Sequence, residues 1–139
     1  MIQALLDAGV LISGLISSSG APAQILDALV EGRFDVVVCP MLLAEVRRAL
    51  GYPRLKRYVT PSNADAFVAW IARVAVIHAD PTTIAPVTRD PDDDYLFALA
   101  RDAHVDVIVS GDADLTDLDE PPARVLSPRD FLNLLNDQR

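Results

Sequence analysis

Apolar residues in this chain fall into short runs separated by longer stretches of helical period. Ile2-Gln3-Ala4-Leu5-Leu6, Phe34-Asp35-Val36-Val37-Val38-Cys39 and Val105-Asp106-Val107-Ile108-Val109 are too short for isolated helices and lack clean alternation. Such runs read as strands buried on both faces, as in a parallel sheet. Pro22 suits the first turn of a helix running to about Glu31, ended by Gly32. Pro40 opens a second through Leu50, closed by Gly51 and Pro53. Thr60-Pro61-Ser62 starts a third, with Phe67, Val68, Ile71 and Val74 on one side, and residues 74–77 follow as a short strand. Beyond a proline-rich loop come a helix from about Asp92 to Ala103, the strand at 105–109, a turn at 112–118, a strand at 123–126 and a helix from Pro128. Strands alternating with helices imply βαβ crossovers and a mostly parallel sheet of four or five strands, covered on both faces. With no repeat or linker-like stretch, 139 residues are expected to form one domain, 1–139.

Composition narrows the classes. Apolar content of 51% supplies a core, yet no run approaches the ~20 residues of a membrane span. The N-terminus lacks the pattern of a secretory signal, and the one cysteine, Cys39, sits inside a strand-like run; a reducing cytoplasm is the expectation, with Cys39 a buried hydrophobe. A net charge of −8 argues against a broad nucleic-acid-binding surface. The cations nevertheless cluster, at Arg47, Arg48, Arg54, Lys56 and Arg57, a patch suited to a phosphate backbone.

Four acids stand where the strands of such a sheet end. Asp7 directly follows the first run, and Asp112 closely follows the run ending at Val109. Glu45 lies one turn into the helix after the second run, at the margin of the stripe Leu42, Leu43, Val46, Ala49 and Leu50, where pairing with Arg48 is the competing role. Asp93 opens the helix whose buried side is Leu96, Leu99, Ala100 and Ala103; projected back, Asp93 falls on that side and Asp94 points away. Asp90, Asp92 and Asp94 then favour the helix N-terminus electrostatically, and Asp114 caps or faces solvent. Converging carboxylates repel unless a cation sits among them, and an all-oxygen donor set suits Mg²⁺ or Mn²⁺. His78 and His104 lack metal-ligand spacing, and no glycine-rich phosphate loop is present. Gly14 and Gly20 read as turn formers, and Trp70 as a packing residue.

Leu6-Asp7-Ala8-Gly9-Val10-Leu11-Ile12-Ser13, Leu43-Ala44-Glu45, Arg89-Asp90-Pro91-Asp92-Asp93-Asp94 and Val109-Ser110-Gly111-Asp112-Ala113-Asp114-Leu115 resemble, in order and spacing, the motifs of PIN domains, and among them the VapC-like toxins of prokaryotic toxin–antitoxin systems. The resemblance runs on to Leu126-Ser127-Pro128-Arg129-Asp130-Phe131. It implies a three-layer α/β/α sandwich and a Mg²⁺- or Mn²⁺-dependent endoribonuclease with Asp7, Glu45, Asp93 and Asp112 as its acidic quartet. Ser13 would hydrogen-bond near that site, and Arg47, Arg48 and Arg54 would hold substrate. It also implies an RNA substrate, a cognate antitoxin and a homodimer. The apolar patch for such association is expected from Leu26, Leu29, Phe67 and Trp70. In one position the chain departs from the family: the first motif reads Asp7-Ala8-Gly9 where Asp-x-Asn is usual. The alternative is therefore a catalytically degenerate PIN-like RNA-binding or regulatory protein.

Overall fold

The computed structural model describes residues 1–88 and 90–138, with the side chains of Pro91 and Asp92 outside the description. Arg89 of the third motif, and the helix-end role read for Asp92, thus lie outside the described residues. Strands β1 (Gln3–Leu6), β2 (Asp35–Val38), β3 (Val76–Ile77), β4 (Val107–Val109) and β5 (Val125–Leu126) form one sheet of order β3-β2-β1-β4-β5. Every pairing is parallel. Successive residues of β1 and β2 (Ala4, Leu5, Leu6; Val36, Val37, Val38) are all buried, so helices cover both faces and the architecture has three layers.

The helices are α1 (Ala8–Ile16), α2 (Ala21–Val30), α3 (Pro40–Leu50), α4 (Pro61–Val74), α5 (Pro91–Ala103), α6 (Ala113–Thr116) and α7 (Pro128–Asp137). Proline in the first turn and a side-chain cap mark α4 and α7: Thr60 Oγ1 accepts from Asn63 N at 3.1 Å, and Ser127 Oγ from Asp130 N at 3.1 Å. The strands are shorter than their apolar runs because ladder pairing stops before the run does. Residues 112–118, read as a turn, contain the single-turn helix α6.

Helix α1 is the element the sequence pattern did not announce. Its residues, AGVLISGLI, are almost all apolar, so no polar face contrasts with a buried one. Within it Gly14 serves close packing rather than a turn. A Cβ there would meet Leu26 Cδ1 at 2.6 Å, so α2 lies too close for any side chain. Gly20, with φ +98, does occupy a turn only glycine adopts readily.

The expected association patch is also corrected. Leu26, Leu29 and Phe67 are buried in the core, and Trp70 is half-buried against Phe67, ring centroids 6.0 Å apart. Exposed apolar surface lies elsewhere, at Val30 and around the edge strand β3 (Val74, Val76 and Ile77). Cys39 is buried, and burial raises its thiol to about 11, an inert hydrophobe. His78 extends the edge strand, donating its backbone N–H to Val38 O, while His104 ends α5 with φ 55. Among the described residues no single helix is long and apolar enough to cross a membrane.

Candidate active site

The sheet register assembles the first half of the site. Leu6 pairs with Val109, so the next residues on the two strands, Asp7 and Ser110, emerge side by side. The Asp7 backbone N–H donates to Val109 O at 3.0 Å, which extends the ladder to the point where α1 begins. Asp7 then caps α1, its Oδ1 accepting from Val10 N at 2.8 Å. Its other oxygen, Oδ2, accepts from the Ser110 hydroxyl at 2.5 Å. Ser110 is fully buried, and its Oγ accepts in turn from Asp112 N at 3.0 Å. One hydroxyl thus ties the Asp7 carboxylate to the loop that carries Asp112. Asp112 caps α6 by accepting from Asp114 N at 2.9 Å, and Asp114 stays exposed.

Glu45 comes from the middle of α3. It is not paired with Arg48; its Oε2 accepts from the hydroxyl of Tyr95, whose ring is buried in α5. Burial first, and then the Glu45 acceptor, raise the Tyr95 hydroxyl above its ordinary value, so it remains a donor. Asp93 sits two residues earlier on the same helix.

Asp7, Glu45, Asp93 and Asp112 all line one cavity of about 430 Å³, together with Gly9, Ser13, Pro22, Leu96, Gly111 and others. It opens at the carboxyl ends of β1 and β4, adjacent strands whose onward connections run to opposite sides of the sheet, the switch-point position of open α/β folds. The carboxylates act on one another there. Asp93 is raised to about 6, first by burial and then by the charges of Asp90, Asp112, Glu45 and Asp7. Asp7 is raised by burial, with the Ser110 and Val10 hydrogen bonds opposing and Glu45 and Asp112 adding to the rise. No lysine or arginine among the described residues lines the cavity to relieve this repulsion.

The expectations for Asp94 and the arginines need refining. Asp94 points away from the cavity, as projected, but its role is more than favouring the helix N-terminus: it is 5% exposed, and its Oδ1 accepts from Val87 N at 3.1 Å and Thr88 N at 2.7 Å. Burial works against that charge, but the Thr88 and Val87 N–H groups outweigh it and hold the carboxyl below its usual range. Asp94 pins the preceding loop to α5, and Asp93 is left to face the cavity. Arg47 and Arg48 line a different, more apolar groove of about 540 Å³ between α3 and α4, and Arg47 pairs with Asp65 at 3.7 Å. Arg54 lies beyond the end of α3. Of the four expected substrate contacts, only Ser13 lines the acidic cavity. Tyr95 and Ser110 are the site residues that sequence reasoning passed over.

Does this donor set fit a divalent cation? Among the described residues, no three His, Cys, Asp or Glu side chains stand close enough together to hold an ion at once. Mg²⁺ does not require it, because it keeps several waters and binds through one or two carboxylates plus substrate phosphate. Four oxygen-bearing acids around one cavity, two of them raised by crowding and burial, fit such an ion in kind.

A family model described as PIN domain matches residues 3–114. The chain belongs to the PIN domain family. A relative, uncharacterized protein MJ1680 of Methanocaldococcus jannaschii, is 29% identical over 117 residues, covering 84% of this chain and 75% of its own. The fold is similar to PAE2754 from Pyrobaculum aerophilum, with TM-score 0.66 and 18% identity over 99% of this chain and 91% of that one. It is similar also to a structure of VapBC2 from Rickettsia felis bound to a DNA fragment from their promoter, with TM-score 0.62, 8% identity and coverage of 91% and 98%. A structure of FitAB bound to the IR36 DNA fragment matches with TM-score 0.57, 18% identity and coverage of 90% and 94%. In this PIN domain the acidic cavity is thus built by the same elements that define the fold.

Proposed function

We propose that residues 1–139 act as one PIN-like domain, a Mg²⁺- or Mn²⁺-dependent endoribonuclease with Asp7, Glu45, Asp93 and Asp112 as its site. The observation that carries this reading is the convergence of four acids, from four separate elements, on one cavity without a described cation beside them. A bound divalent ion supplies charge stabilisation to the scissile phosphate and acidity to the attacking water. The chain's residues orient that chemistry. Ser110 and Val10 fix both oxygens of Asp7, Tyr95 fixes Glu45, and the Asp94-anchored loop leaves Asp93 turned to the cavity. Membership of the PIN family supports the nuclease class.

The narrower reading is that the protein is the toxin of a toxin–antitoxin pair, cytoplasmic and homodimeric, with a cognate antitoxin over the cavity; the likeness to VapBC2 and FitAB supports its toxin–antitoxin part. Gly9 favours the second reading, a degenerate RNA-binding member. It lines the cavity, and a Cβ there would meet only Asp7 Oδ1, at the ordinary distance of 3.5 Å, so the backbone leaves room for a side chain to start. Cleavage of RNA with and without a chelator tests the first reading. Divalent-dependent cleavage by the wild type, lost in Asp7→Asn, is expected; cleavage that survives chelation, or is equal in the variant, overturns it. No cleavage by the wild type and strong cleavage by Gly9→Asn would establish the second.

A further inference from the structure

Away from the acidic cavity, the chain gathers cations and exposed aromatic rings in one short segment. Arg47, Arg48, Arg54, Lys56 and Arg57 are five of its 12 Lys and Arg, in a protein of net charge −8. Tyr52 and Tyr58 flank the last three of them and are 41% and 51% exposed. Each ring carries a guanidinium: Arg54 lies over Tyr52 at 5.5 Å and Arg57 over Tyr58 at 4.9 Å. Arg57 Nη2 also donates to Tyr58 Oη at 2.9 Å.

The segment is held in shape. Leu55 and Val59 are buried beneath it, and a 3-10 turn closes with Leu55 N donating to Tyr52 O and Tyr58 N to Leu55 O, both at 2.9 Å. Tyr58 also lines a groove of about 430 Å³ with Asn63, Phe67 and Trp70. That size falls within the ~300–1,000 Å³ range of sites for small molecules. Asn63 is exposed at this groove, and its carboxamide carries both donor and acceptor groups.

Stacking faces interleaved with cations suit an unpaired nucleic-acid strand, whose bases stack and whose phosphates need neutralising. An acidic peptide would use the cations but has no need of exposed aromatic rings beside them. A duplex hides its base faces and calls for a broader positive surface than a chain of charge −8 offers. We propose that residues 52–58, with the Tyr58–Asn63–Trp70 groove, form a docking platform for single-stranded RNA, with a base against Tyr58 and phosphates at Arg54, Lys56 and Arg57. The proposal rests on the ribonuclease reading and adds the surface on which its substrate docks. Helix α3 links the two regions: it carries Glu45, and its last residue, Leu50, lies about 7.5 Å further along the axis on the side of the platform.

The test is fluorescence anisotropy of the full chain with a labelled single-stranded RNA of about 12 nucleotides, within the site sizes of such binders, in a chelator so that no cleavage consumes the probe. Tyr58→Ala is expected to weaken binding about tenfold, while Tyr58→Phe, which keeps the ring, holds its affinity. Arg54→Ala/Arg57→Ala is expected to flatten the slope of log K against log salt by about 1.4, from two single-strand phosphate contacts at ~0.7 each. The RNA duplex of the same sequence should bind more weakly than the single strand. No wild-type binding at about 100 μM, the weak end of nonspecific affinity, would overturn the proposal. So would equal affinity in Tyr58→Ala, or a duplex bound as well as the single strand. Tyr58 is exposed, so its variants should melt with the wild type. Because binding is read without metal, a failed cleavage assay leaves this result standing. Equal binding by Tyr58→Ala, with cleavage still lost in Asp7→Asn, would remove the platform and keep the catalytic reading.

Discussion

Asp7 takes its position from the pairing of β1 with β4 and from a buried hydroxyl 103 residues away in sequence, whereas Tyr58 takes its position from a turn closed between Tyr52 and Val59. The first region holds Asp7 and Glu45 with donors rooted in the core: Ser110 is fully buried and Tyr95 is 5% exposed. The second holds its rings by neighbours one or two residues off, with the arginines in solvent. Charge placed for chemistry needs the precision of packed elements, since a small misplacement costs rate steeply. A surface that takes any base and any phosphate does not, and local contacts are enough. The contrast also explains why the acidic region can tolerate its own repulsion. Packing of the strands and helices that carry the carboxylates holds them together against it.

Breaking the cavity should have the largest consequence. Asp7→Asn keeps the shape of the side chain and removes its charge; RNA cleavage is expected to fall at least ~100-fold, the scale of losing one preorganised electrostatic group. Binding of single-stranded RNA in chelator should stay close to the wild-type value, which separates the two regions in one variant. Next in size is the packing under the site. Gly14→Ala places a Cβ 2.6 Å from Leu26 Cδ1 and should cost about 1–3 kcal/mol in urea denaturation. Gly9→Ala, which meets only Asp7 Oδ1 at 3.5 Å, should be neutral or stabilising by up to ~1 kcal/mol through helix propensity.

Tyr95→Phe sharpens the comparison further. It removes the donor to Glu45 and should lower stability by about 1 kcal/mol, with a several-fold loss of cleavage. Tyr52→Ala, in the exposed turn, should change stability by less than ~0.5 kcal/mol. A further effect is a pH dependence. Folding raises Asp93 from 3.8 to about 6, so the folded protein binds that proton more tightly than the unfolded chain. The stabilisation from this group is complete below about pH 4 and is lost as pH rises through about 6. Asp93 is partly exposed, so screening reduces the effect to on the order of 1 kcal/mol. In the absence of divalent ions Asp93→Asn should gain that much on the wild type between pH 4 and pH 7, as read by denaturation at both ends. A constant difference would show that Asp93 feels no crowding.

Most of the fold could be read in the sequence because proline, glycine and capping residues punctuate it: Pro40 to Gly51 and Thr60 to Val74 stand where they were expected. Helix α1 escaped because a segment apolar on every side offers no period to detect. The four acids were legible as a joint pattern rather than one by one: Asp7 and Asp112 follow strands, Asp93 opens a helix and Glu45 lies one turn into another, and helical projection separated Asp93 from Asp94. Projection put Asp94 away from the cavity but could not foresee its partners, because it carries no information about a loop folding back over the helix start. Tyr95 and Ser110 were invisible for a related reason. Their partners, Glu45 and Asp7, lie 50 and 103 residues away, and only the tertiary fold brings the pairs together. Arg47 and Arg48 do not reach the acidic cavity. Arg47 lies about 200° around α3 from Glu45, so it faces α4 and Asp65 instead of the cavity.

The claim that four carboxylates make one cation site is tested most directly by thermal melting of the metal-free protein against added Mg²⁺ or Mn²⁺. A ligand that binds only the folded state stabilises it by linkage, by about 2.7 kcal/mol at a hundredfold excess over Kd, a rise of several degrees for a chain of this size. The account predicts that rise in the wild type and none in Asp7→Asn/Asp93→Asn. An unmoved wild-type melting temperature, or the same rise in the double variant, would contradict it.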